Sequence, residues 1–506
     1  MTNFFSSPAL TALQNQHHHQ YLDAIAAGQN VLITLPLATA AENIYGLAAI
    51  TSPGLTVVVS ANALKAEKIH RFYLQAGFNT PEVLLINGFQ APHEQRKALE
   101  SLNRGKTQIL SITADKFCSL LVLQVLVHIP INRLIIDDAD LLLEAAPYAV
   151  YQRFKKNGLS QLKQLPPITL SLPYIAHTHI NQLIQSIGSK TDTLNAFVEP
   201  HTTLAISPDH SKTRIKVNLC FTQHQKAKNL IAQLKALKTD NKQSLSLVFC
   251  LTRTHEASIF LEALLHKTGY PQAFRLAHAL NTLETAIEQI KSHLDSLNIN
   301  SADEKLCYKT EATDTTDTIA NGVCPVVLTE AQYRLTWLPA WQSLQTDTED
   351  AEGTQHFDQK TNTISTLGPV GQHVVFWQLP DSLDSITAIA FRAIKPVSVS
   401  QPCSKKVNPQ TLTVLYTKED YLDTVAIYQQ QAHQNLRVSR KKQALLKQLR
   451  VWLLRRDCRL AVLQTYQQTG QLALFLAPCG RCDNCTTDRF LRVPLVLHNV
   501  VQQLLY

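Results

Sequence analysis

Apolar residues in the first part of the chain come in short continuous runs rather than in strict alternation. Val31 to Leu35, Thr56 to Ser60, Gln108 to Thr113, Arg133 to Asp137 and Ile168 to Leu172 are such runs, with helix-sized stretches between them. Runs of this length and spacing are the pattern of parallel strands buried on both faces. They predict a doubly wound α/β domain over residues 1–205. A second set, Ile215 to Phe221, Ser246 to Leu251, Pro325 to Thr329, His373 to Leu379 and Thr411 to Tyr416, predicts another α/β domain over 206–420. From about residue 420 the period becomes helical. Leu445, Leu449 and Trp452, together with Leu446 and Leu453, recur at steps of three and four, so Arg437 to Arg459 reads as one amphipathic helix. It opens a small helical domain over 421–490, followed by a tail over 491–506.

The polar stretch from Ser301 to Thr363 holds eleven acids against four Lys or Arg, too little apolar material to bury, and reads as an insertion in the second domain. Elsewhere 45% hydrophobic residues suffice for cores in a chain of 506 residues. A net charge of +8 favours an anionic partner, and the charge is concentrated. Arg437 to Arg459 carries nine Lys or Arg against one acid, Asp457. The polar face of that helix is the expected phosphate-facing surface, with Arg437, Arg440, Lys441, Lys442, Arg450 and Arg455 as the contacts. The longest apolar stretch, Leu120 to Val127, is broken by Gln124 and soon meets His128 and Pro130, too short for a bilayer span, and no secretory leader is read at the start. A cytoplasmic protein with no membrane partner is expected, nucleoid-associated if bacterial.

Ten cysteines divide into six scattered ones and a cluster, Cys479, Cys482 and Cys485 in CGRCDNC, with Cys458 upstream. A C-x2-C pair lets one tight turn present two sulfurs to one ion, and Gly480 eases that turn. Cys458 completes a tetrahedral zinc set from the preceding helix if the chain folds back. Buried structural cysteines and an iron–sulfur cluster are the competing readings. His17, His18 and His19 are adjacent and share no helix face, so they read as a solvated helix start.

RRDCRLAVLQTYQQ followed by PCGRCDNC resembles the zinc module of RecQ-type DNA helicases, and residues 12 to 490 can be followed against that family. The resemblance implies two RecA-like parallel-sheet domains followed by the zinc module, with DNA, single-stranded or junction, as partner. It also implies ATP with magnesium in the first domain, where a Gly-rich loop and lysine hold the phosphates and a hydroxyl holds the metal. This chain has LPLATAAENIY there. Pro36 and Tyr45 fit the family's pattern, but Ala38, Thr39 and Ala40 stand for its glycines, Ala41 for its lysine and Glu42 for its hydroxyl residue. The family's acidic pair reads Asp137 and Asp138, followed by Ala139 and Asp140; these carboxylates either hold a metal or simply face solvent at a strand end. The aromatic-rich loop falls on LEAAPYAVYQRF, and Arg392 with Lys395 falls on the arginine-finger segment without its flanking glycines. These losses argue against use of ATP and magnesium.

The resulting expectation is a RecQ-like homologue that binds DNA, has lost ATP hydrolysis and serves recombination or repair with a protein partner. Two alternatives stand beside it: a working 3′-to-5′ helicase whose phosphate site has diverged or is completed by another chain, and a zinc-stabilised protein-interaction module. ATP hydrolysis separates the first two. Salt-dependent DNA affinity separates the first from the third.

Overall fold

A computed structural model describes residues 21–35, 41–51, 53–141, 162, 166–173, 202–205, 213–240, 246–276, 284–293, 323–338, 373–380, 382–391, 410–432, 436–455, 457–472, 479–480 and 482–486. The chain forms two compact units. One comprises Met1–Pro208, Ala279–Glu288 and Arg334–Asp350, the other Asp209–His278, Gln289–Tyr333 and Ala351–Tyr506.

The first unit is built on β1 (Val31–Leu35), β2 (Leu55–Ser60), β3 (Val83–Ile86), β4 (Ile109–Thr113), β5 (Ile131–Ile136), β6 (Ile168–Pro173) and β7 (Thr202–Ala205), in the order β3-β4-β2-β5-β6-β1-β7. All its pairings are parallel. Every residue of β1 and β2 is buried, as a strand covered on both faces requires. The covering helices include α1 (Glu42–Thr51), α2 (Ala63–Gln75) and α3 (Pro92–Asn103). The Asn62 side chain starts α2 by accepting from the Lys65 amide at 2.9 Å. Ile44, Tyr45 and Ala48 of α1 pack with Ile69 and Tyr73 of α2 in one apolar cluster.

The second unit is built on β8 (Thr213–Leu219), β9 (Ser246–Thr252), β10 (Phe274–Arg275), β11 (Val323–Thr329), β12 (His373–Phe376) and β13 (Gln410–Tyr416), in the order β10-β11-β9-β12-β13-β8, again all parallel. Its helices include α4 (Gln223–Asp240), α5 (His255–Lys267), α6 (Leu383–Ala390), α7 (Lys418–Ala432), α8 (Leu436–Leu454), α9 (Arg459–Thr469) and the short α10 (Asp483–Thr486). β8 lies at the sheet edge and carries Arg214 and Lys216 outward, which disfavours pairing with a stray strand.

The expected architecture, two parallel-sheet α/β domains and then a small helical segment with four cysteines, is therefore the one adopted. Three strands escaped the sequence pattern: β3, β7 and β10, of four, four and two residues, are too short to stand out as runs. The acidic stretch Ser301 to Thr363 contains β11, and the rest of it outside 323–338 lies beyond the described residues.

One correction concerns the basic segment. It is not one helix to Arg459: α8 ends at Leu454, and the chain restarts as α9 with Cys458 as N-cap. The break has a physical cause. Arg459 donates to the carbonyls of Trp452 and Leu453, at 2.9 and 3.3 Å, and so satisfies the open end of α8 with a cation. The apolar stripe itself is as expected, with Leu446, Leu449, Trp452 and Leu453 buried.

Candidate metal centre and buried charge cluster

The four cysteines come together. The sulfurs of Cys458, Cys479, Cys482 and Cys485 all lie within 4.8 Å of one another, with Cys458 and Cys482 buried. Cys482 is 3.4 Å from Cys485 and 4.0 Å from Cys458, and Cys479 is 4.0 Å from Cys485. A tetrahedral ion with zinc–sulfur bonds of about 2.3 Å holds its sulfurs roughly 3.8 Å apart, so the set fits zinc. Gly480 sits at φ +69 with open space around it, the left-handed residue that the knuckle needs.

Backbone amides already point at the sulfurs. Ala461 and Cys479 donate to Cys458, at 3.4 and 3.3 Å, and Cys482 donates to Cys479 at 3.4 Å. Such bonds favour thiolates. The adjoining Cys458 sulfur and burial together push the Cys482 thiol up, so without a cation that thiol resists ionisation. A bound zinc would reverse that preference and bring four thiolates together.

The knuckle is tied to the rest of its unit by charge. Arg459 Nε donates to both carboxylate oxygens of Asp483, at 2.7 and 3.0 Å. Asp483 Oδ2 also accepts the Val217 amide of edge strand β8 at 2.9 Å. The Asn484 amide donates to the carbonyls of Arg455 and Asp457 at 3.0 and 2.7 Å. Cys458 thus enters from the turn between α8 and α9, not from within the preceding helix.

Much of the basic segment is engaged internally. Arg455 pairs with Asp457 at 2.7 Å, Arg450 lies over the Tyr421 ring at 5.2 Å and Lys442 over the Tyr428 ring at 5.3 Å. Arg440 is exposed near the start of α8. Arg437 and Lys441 belong to the same helix, and their side chains lie outside the described set.

In the first unit the structure places Ala41 and Glu42 at the start of α1, after the carboxyl end of β1. Pro36 and residues 38–40, the histidines 17–19, the loop over residues 143–154, Arg392 and Lys395 lie outside the described residues. Glu42 is 1% exposed and forms a buried ion pair with Lys68 of α2. Its backbone carbonyl accepts from the Tyr73 hydroxyl at 2.6 Å. Burial alone would push the Glu42 carboxyl up, but Lys68 and then Lys65 outweigh it and hold the group below the usual carboxylate range.

The acids at the end of β5 belong to the same cluster. Asp137 is 1% exposed and accepts from the Tyr45 hydroxyl of α1 at 2.7 Å. Lys65 lies 3.5 Å from Asp137 and 3.2 Å from Asp138. Asp138 takes a positive φ of 46°, a left-handed conformation that aspartate and asparagine adopt more readily than other non-glycine residues. Asp140 pairs with Arg334 at 2.8 Å, within the same compact unit. The reading of these acids as solvent-facing is therefore corrected: the hydrophobic end of β5 carries them into the unit, and lysines and a tyrosine neutralise or bond them.

Burial raises the Asp137 carboxyl to about 6 despite Lys65, with Asp138 adding to the rise. Burial also opposes ionisation of Asp138, yet Lys65 holds it below its ordinary value. Sequence reasoning missed Lys65, Lys68 and Tyr73. One signal existed, since Lys68 falls in the buried register of α2 with Leu64, Ile69 and Tyr73, and a charge on an apolar stripe asks for a partner.

No protein-family model and no curated protein matches the chain. Solved structures do. Mss116p bound to ssRNA and AMP-PNP is 12% identical with a TM-score of 0.48, over 84% of this chain and 76% of that one. The DUF1998 helicase MrfA bound to DNA is 12% identical with a TM-score of 0.48, over 84% of this chain and 50% of that one. S. cerevisiae Dbp5 bound to RNA and ADP BeF3 is 11% identical with a TM-score of 0.48, over 88% of this chain and 99% of that one. At these identities and TM-scores no residue's role passes from those structures to this chain.

Proposed function

We propose that this protein is a RecQ-like DNA helicase homologue that binds DNA without hydrolysing ATP, a zinc-stabilised scaffold for recombination or repair in the cytoplasm. The observation that carries the reading is Glu42. Where a working phosphate site needs a lysine and a hydroxyl at the start of α1, this chain has Ala41 and a buried carboxylate paired with Lys68. A triphosphate approaching that helix would meet negative charge and find the nearby lysines engaged. Asp137, which would hold magnesium, is bonded by Tyr45 and faces Lys65. Arg392 is the counterpart of an arginine finger on sequence grounds alone.

DNA binding is assigned to α8 and the turn after it, through Arg437, Arg440, Lys441, Lys442, Arg450 and Arg455. A second reading, a zinc-stabilised protein-interaction module, is favoured by the internal contacts of Lys442, Arg450, Arg455 and Arg459, which leave fewer cations facing outward.

Two measurements on the purified chain test this. ATP hydrolysis, with and without single-stranded DNA, is expected to stay at background. Robust DNA-stimulated hydrolysis that Asp137→Ala abolishes would sink the ATPase-deficient reading. Single-strand affinity should fall with salt at a log–log slope of about −0.7 per phosphate contact, near −3 for about four contacts. Changing Arg440, Lys441 and Lys442 together to Ala should flatten the slope by up to about 2. Failure of the parent to bind at low salt would decide for the interaction module.

A further inference from the structure

We propose that Glu42 is a built-in anion: its carboxylate fills an oxyanion-binding position formed by Lys68, Lys65 and the start of α1, and so makes the first unit complete without a phosphate ligand. The inference deepens the functional reading above and rests on it for the view that a phosphate once belonged here, while its geometry is this chain's own.

Three observations converge on it. Glu42 is the first residue of a ten-residue helix, where the helix dipole favours negative charge. Among the described residues, Glu42 provides the carboxylate within ion-pair reach of Lys68, whose side chain is 8% exposed. Its second oxygen, Oε2, is buried and has no hydrogen-bond partner in the structure, so the carboxylate is held through its other oxygen, the one that faces Lys68. The Tyr73 hydroxyl, pinned on the Glu42 carbonyl, fixes the helix start against α2, where both lysines sit.

A buried ammonium that loses its paired anion is costly, and the group then either sheds its proton or recruits a substitute. Burial already draws the Lys68 amine below its ordinary value, with Glu42 the main opposing influence. Among the described residues Asp137 and Asp138 remain nearby when Glu42 is removed, Asp137 bonded by Tyr45 and facing Lys65, Asp138 paired with Lys65. Lys68 is the cation left for an incoming oxyanion. The ligand class is a small tetrahedral or planar oxyanion, and inorganic phosphate is the probe. In the parent chain the position is filled, so phosphate should have no specific effect.

The test is thermal unfolding of the full chain in phosphate against chloride at matched ionic strength, without nucleotide or DNA. The parent should show equal midpoints in the two salts. Glu42→Ala should lower the midpoint in chloride and recover about 3 °C in phosphate at about ten times its Kd. Adding Lys68→Met should abolish that phosphate response. Glu42→Gln, which keeps the side-chain volume, should be destabilised in both salts alike. If Glu42→Ala cannot be purified in chloride, refolding yield in phosphate against chloride reads the same rescue. Equal responses of Glu42→Ala to both salts, equal refolding yields, or a parent stabilised by phosphate as much as the variant would overturn the proposal. Because neither ATP nor DNA is present, these outcomes are independent of whether the chain hydrolyses ATP or binds DNA.

Discussion

Two side-chain clusters in this molecule differ in charge balance. In the second unit, four sulfurs within 4.8 Å converge with amides pointed at them. Such a cluster is unfinished without a metal, because four thiolates repel one another unless a cation sits between them. In the first unit, Glu42, Asp137 and Asp138 face Lys65, Lys68 and Tyr45, and the chain answers most of its own charge. The comparison teaches that residue type alone does not mark a working site. What matters is whether the constellation still needs something from outside.

The largest effect that bears on this contrast is expected at the metal centre. Purified protein should carry about one zinc per chain, and Cys482→Ser should release it and open the segment around α9 and α10 to proteolysis. Apparent binding energies for structural zinc run to about 10–16 kcal/mol, so removal should outweigh any single packing change. Protein that is fully folded, metal-free and reactive at all four thiols would break the comparison from this side.

Next in size is the ion pair in the first unit. Lys68→Met leaves the Glu42 carboxylate buried without its partner, and removing one member of a buried pair costs about 3–5 kcal/mol. Urea unfolding of parent and variant measures it. A variant as stable as the parent would mean that Glu42 is satisfied by something else and that the first site is not self-contained.

The smallest effect is a dependence on pH. In the folded unit the Asp137 carboxyl is raised to about 6, whereas the unfolded chain ionises near its ordinary value of about 3.9. Between those two values the folded form holds a proton that the unfolded form releases. The Asp137 contribution to stability is therefore fully present below about pH 4 and is lost as pH rises through about 6, at most about 2–3 kcal/mol. Glu42 and Asp138 are shifted down and act in the opposite sense, contributing stability that is lost as pH falls below the ordinary carboxylate range. Asp137→Asn should remove the decline between about pH 4 and 6 and leave the acid-side loss in place. An unchanged profile across that window would show that Asp137 is no more strained than a surface carboxyl.

Legibility followed physical locality. Buried parallel strands announce themselves as apolar runs, so β1, β2, β5, β6, β9 and β11 could be read directly, while β3 and β10 were too brief. The C-x2-C spacing brings two sulfurs to one turn by short-range geometry, and the cysteine cluster was legible for that reason. The internal charge network was not, because Lys65 and Lys68 meet Asp137 and Glu42 across separate elements of the sheet and helices.

The sequence by itself determined the two parallel-sheet layers and the cysteine set, since each depends on neighbours a few positions apart. Tertiary structure alone decided that the basic segment breaks at Leu454, with Arg459 closing the end of α8 and reaching Asp483. It alone decided that Asp137 lies buried under Tyr45, and that Glu42 is answered by Lys68, because the partner of a buried charge is set by which helices pack together and not by spacing along the chain.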